Sequence, residues 1–111
     1  MQAFIDDMTK LGLAPVEEAG LVICRVTPVG GAHAGTVVAA GVAVAELASW
    51  PQAPPHWIHL PSEIEFARTN NEPSTKPGWQ RHSRNSAGWG DAPAAVCWAA
   101  HLQAVLNEAI R

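Results

Sequence analysis

The sequence predicts an α+β domain, an antiparallel meander of three or four strands flanked by an N-terminal and a C-terminal helix. Three observations carry this reading. Apolar residues at helical spacing open and close the chain. Between them lie Val- and Ala-rich runs in which alternate positions stay apolar. The runs are separated by Gly and Pro clusters too short for parallel crossovers, which need a dozen or more residues.

Each element follows in order. Phe4, Ile5, Met8 and Leu11 share one helical face, and Gly12 with Pro15 gives a stop, so residues 2–12 read as the first helix. Residues 21–28 read as a strand whose even positions, Val22, Cys24 and Val26, point into the core; Cys24 is then an inert small hydrophobe. Gly30, Gly31 and Gly35 around His33 read as a hairpin loop. Thr36–Ala48 reads as one long strand with Gly41 as a candidate bulge. Three prolines in residues 51–55 enforce an extended turn, and His56–Leu60 reads as the next strand. Residues 67–91 show no sustained period; so long an irregular stretch is usually functional or disordered. Asp91 is the expected N-cap of the last helix, with Pro93 in its first turn. Trp98, Ala99, Leu102, Val105, Leu106 and Ala109 form its apolar stripe.

With 111 residues, 48% of them apolar and only 15% charged, the chain reads as one ordered domain over residues 1–111. No apolar run approaches the roughly 18 residues of a membrane span. The acidic start, MQAFIDDMTK, does not look like a secretory signal, so a soluble, cytoplasmic protein is expected. The charge is unevenly placed. Arg68, Lys76, Arg81 and Arg84 face only Glu72 between positions 68 and 84, a local +3 that leaves −6 for the rest of the net −3. Such a field attracts an acidic partner, although a solvated polar loop would have the same composition.

The segment Trp50-Pro51-Gln52-Ala53-Pro54-Pro55 resembles the aromatic-Pro-x-x-Pro-Pro signature of the ubiquitin-conjugating (UBC) fold, where it follows the third element of a helix–strand–strand–strand meander. Trp79-Gln80-Arg81-His82-Ser83-Arg84, followed by Trp89 and a helix, is similar to a Trp-Gln-x-x-Ser-Arg pattern in a bacterial branch of that superfamily. The resemblance implies a minimal UBC-like domain in a pathway with a ubiquitin-like protein and a ThiF-type activating enzyme as partners. One departure stands out: the usual His-Pro-Asn triplet and nucleophilic cysteine are missing from residues 64–80. The chain is therefore either a non-standard conjugating transferase or a catalytically inert docking module, and both readings stay open.

Cys97 is the one thiol available for transfer chemistry. It lies about 140° around the helix from Leu102, and His101 follows it one turn later. A core cysteine packed through Ala100 and Ala104 is the blander alternative. His82 is a candidate acid or base near neutral pH, or a loop-stabilising residue together with Ser83. Trp79, Gln80, Arg81, Ser83, Arg84 and Trp89 form the expected partner surface. In it Arg81 and Arg84 either clamp a carboxylate or stack on Trp79 and Trp89. His56 and His59 fall on opposite faces of a strand, so no metal is expected. Gly30-Gly31 lacks the Lys and helix start of a phosphate loop, so no cofactor is expected. Single-stranded nucleic acid is a remote alternative, disfavoured by the acidic pI near 5.9.

Overall fold

The computed structural model describes residues 1–111. Helix α1 (Gln2–Lys10) buries Phe4 and Met8, one turn apart. It ends where the sequence places a stop. Gly12, at φ +75°, donates to the Thr9 carbonyl, and Leu13 N–H reaches back to Met8 O, closing a Schellman motif. Strand β1 (Val16–Glu18) then pairs with β2 (Leu21–Val26) through a two-residue turn, Ala19–Gly20, both at positive φ. That is the primed-turn geometry that matches strand twist. All three β1 residues are exposed, so this edge strand has no apolar alternation to announce it.

Strand β3 (Val38–Ala43) pairs along the whole of β2. The single long strand expected over Thr36–Ala48 is not formed. Val44–Ser49 leaves the sheet as a 3-10 helix that buries Leu47. Thirteen extended residues would span about 43 Å, more than the 32 Å longest dimension of the molecule. Gly41 is a regular ladder position between Ile23 and His59, not a bulge. A Cβ there would meet Leu21 Cδ1 at 3.2 Å, so its absence lets the Leu21 side chain close over the sheet. The proline turn follows, with a cis Trp50–Pro51 bond, and leads into β4 (Trp57–Pro61). Glu46 organises the return, its carboxylate accepting from the backbone N–H groups of His56 and Trp57.

Residues 67–91 are not irregular throughout. Strands β5 (Asn71–Pro73) and β6 (Trp79–Ser83) form a hairpin, and β6 pairs in full register with β4. The sheet therefore has six antiparallel strands in the order β1-β2-β3-β4-β6-β5, not three or four. Helix α2 (Ala94–Asn107) closes the fold. It begins after Pro93 with no side-chain cap, so Asp91 does not serve as its N-cap; it lies too early to reach the first free amides.

Both helices cover one face of the sheet. Phe4, Met8, Trp98, Leu102 and Leu106 pack there with Val22, Cys24, Ala40, Ile58 and Leu60. The second face is covered differently. The sheet curls until the β5–β6 hairpin tip reaches the β1–β2 turn. There Thr75 Oγ1 donates to Ala19 O, and Lys76 pairs with Glu18 at 2.9 Å. Leu21, Ile23 and His59 are buried on this face. No helix of the molecule is long and apolar enough to cross a membrane.

Candidate functional site

Strand β6 carries most of the residues that the sequence singles out, and strand alternation divides them. Trp79, Arg81 and Ser83 stand opposite Pro61, His59 and Trp57 of β4 on the second face. Gln80 and His82 stand opposite Leu60 and Ile58 on the helix-covered face. Ser83 and His82 thus do not work together. Ser83 Oγ is hydrogen-bonded to Nε2 of His56 instead. The two arginines do not form one clamp, because each is already engaged. Arg81 pairs with Glu72 and lies 4.2 Å over the Trp57 ring. Arg84 lies 4.8 Å over Phe66 and donates from Nη1 to Thr69 Oγ1 and Ser83 O. Neither stacks on Trp79 or Trp89. Lys76 covers Trp79, while Trp89 meets Trp50 edge-on and donates its indole N–H to Pro51 O. Of the basic stretch, Arg81 and Lys76 are thus ion-paired, with Glu72 and Glu18, whereas Arg84 meets a ring and neutral oxygens.

His82 is the best-defined polar centre. The side chain is 2% exposed, its ring meets Phe66 edge-on, and Nδ1 is 2.6 Å from Thr69 Oγ1. Burial first, and the Arg84 charge second, lower its pKa to about 4, so the ring is neutral at physiological pH. It lines a cavity of about 420 Å³ with Ser62, Phe66, Thr69, Asn71 and Gln80. Backbone bonds between Glu65 and both Ile110 and Arg111, and a bridge from Phe66 to Ala109, hold the far wall.

Cys97 is half-buried on α2, and no hydrogen bond joins it to His101. The His101 ring lies 5.3 Å from that of Trp98, and its Nε2 is buried without a partner. Burial, then Arg84, lowers the His101 pKa. Cys24 lies in the core, where burial pushes its thiol up to about 12. His59 donates or accepts at Nδ1 with Ser74 Oγ, 2.7 Å away, on the face opposite the helices. Its pKa falls to about 4 through burial, then the charges of Arg81 and His82. No three His, Cys, Asp or Glu side chains converge as a metal site.

Sequence reasoning misses Thr69, Phe66, Ser62 and Asn71. Thr69 meets His82 only because the hairpin brings together residues thirteen positions apart; no local motif marks it. No family model, curated protein or solved structure matches the chain.

Proposed function

We propose that the chain is a UBC-like component of a ubiquitin-like protein modification pathway, acting as a docking module rather than a thioester carrier. The observation that supports the pathway reading most is the path of the backbone. A leading helix enters a four-strand antiparallel run, and the Trp50–Pro55 turn sits between its third and fourth strands. The docking reading draws support from the thiols. Cys24 is buried with its pKa near 12, and Cys97 has no imidazole partner to activate it. The partners are a ubiquitin-like protein or a ThiF-type activating enzyme, met through the β5–β6 hairpin and its Trp79. Nucleic acid has less support, because Trp57 and Trp79 are already covered by Arg81 and Lys76.

Incubation with an activating enzyme and its charged ubiquitin-like protein tests this. The expected result is a non-covalent complex on a sizing column and no thiol-sensitive adduct. A dithiothreitol-labile adduct that disappears in Cys97→Ser would overturn the docking reading, and binding to neither partner would overturn the pathway itself.

A further inference from the structure

We propose that Thr69 and His82 form a nucleophile–base pair that accepts acyl groups from activated esters in the cavity between residues 62–69 and β6. Three observations converge. The Thr69 hydroxyl oxygen is 2.6 Å from His82 Nδ1, within reach for direct proton transfer. Arg84 Nη1 donates to the same oxygen at 3.1 Å. Since the guanidinium can only donate, the Thr69 oxygen accepts from Arg84 and its own proton is free for Nδ1. Both residues line an open cavity of about 420 Å³, and the side-chain amides of Asn71 and Gln80 line it as well.

The arrangement supplies each part of an acyl transfer. Thr69 Oγ1 attacks the carbonyl carbon while its proton passes to His82 Nδ1. Arg84 stabilises the oxygen as charge builds on it. The tetrahedral oxyanion meets the amide donors of Asn71 or Gln80. Collapse breaks the bond to the leaving alcohol, which takes the proton from His82, and an acyl-Thr69 ester remains. Water, deprotonated by the same imidazole, then releases the carboxylic acid and restores the hydroxyl. Neutral at physiological pH, His82 can take the Thr69 proton in the tautomer that carries its hydrogen on Nε2. Ser62, Thr69, Asn71 and Gln80 are uncharged, and Glu65 on the wall is paired with Arg111 at 3.7 Å, so the fitting substrate is an uncharged ester. Thr69 and His82 would act in this way whether or not the chain meets a ubiquitin-like protein.

Hydrolysis of p-nitrophenyl acetate by the full chain, with an acid quench and peptide mapping by mass spectrometry, provides the test. The parent should release p-nitrophenolate above the buffer rate and carry acetyl on Thr69. T69S should retain activity, whereas T69V and H82Q should each lose it by roughly 100-fold, with circular dichroism confirming the fold. Should T69V not fold, the mapped acetyl on the parent still decides. Acetyl found only on Cys97 or on lysines, release no faster than buffer, or a folded T69V as active as the parent would overturn the proposal.

Discussion

Trp50 donates its indole N–H to the Asp7 carboxylate at 3.0 Å, fastening the first helix to the proline turn. The same ring meets Phe4 edge-on at 4.9 Å and Trp89 at 5.5 Å, so three segments distant in sequence share one aromatic contact. Asp7→Ala removes the only charged acceptor of this partly buried N–H. A hydrogen bond to a charged group contributes about 1.5–3 kcal/mol, and partial solvent access puts the expected loss near the lower bound. Urea denaturation should show a lower midpoint with an unchanged slope, and Asp7→Asn should recover most of the loss.

Gly31 and Gly12 both have positive φ, yet their substitutions should differ sharply. At Gly12 nothing lies within 4 Å of an added Cβ, so Gly12→Ala meets only the left-handed backbone cost of about 1–2 kcal/mol. At Gly31 the added carbon would lie 2.6 Å from the Asn107 carbonyl oxygen. That contact is where the β2–β3 loop is strapped to α2, through Gly30 N–H to Asn107 Oδ1 and Val29 N–H to Gln103 Oε1. Gly31→Ala should cost roughly 2–4 kcal/mol, adding overpacking to the backbone term, and thermal melts of the two variants should separate accordingly.

The parts legible in the sequence are those with a one-sided apolar period. Trp98, Leu102, Val105, Leu106 and Ala109 of the last stripe and the inward Val22-Cys24-Val26 series are buried as their spacing requires, while Ala99 is half-buried. β1 is illegible because all three of its residues are exposed, and β6 because both of its faces meet polar partners. Arg81 meets Glu72, Ser83 meets His56, and His82 meets Thr69, so Trp-Gln-Arg-His-Ser shows no apolar alternation although it is a regular strand. The site suffers for the same reason. His82 is noticeable in the sequence, but Thr69, Phe66 and Asn71 reach it only through the fold of the hairpin.

Stability should fall with acid in a defined window. His59 and His82 are held neutral, each with a pKa lowered to about 4, while an unfolded chain binds the proton near 6.5. The unfolded state therefore takes up protons first as pH drops. The stabilisation is complete above about pH 6.5 and is lost progressively down to about pH 4, where the folded histidines also protonate. Each unit of depression corresponds to roughly 1.4 kcal/mol per histidine. Unfolding free energies between pH 7 and 4 should show this slope, and His82→Gln should reduce it. A slope unchanged by that substitution would assign the acid sensitivity to other groups.

The two thiols should report their positions through reactivity. A thiol reacts as its thiolate, and Cys24 is 2% exposed in the core with a pKa near 12, so almost none of it is ionised or accessible at pH 8. Cys97 is half-buried on α2 and can be reached without unfolding. Native protein treated with Ellman's reagent at pH 8 should therefore release about one equivalent of chromophore promptly, and Cys97→Ser should abolish that phase. The second equivalent, from Cys24, should appear only at the rate of opening, and should accelerate in urea as the folded state loses stability. The raised pKa also carries a sign for alkaline stability. An unfolded thiol ionises near 9, so the folded state is progressively disfavoured as pH rises from about 9 towards 12. Cys24→Ala should flatten that alkaline loss while creating a small cavity of its own. Prompt labelling of Cys24 in the native Cys97→Ser variant would mean that β2 opens locally, and that the sheet beneath α2 is far less protected than its packing implies.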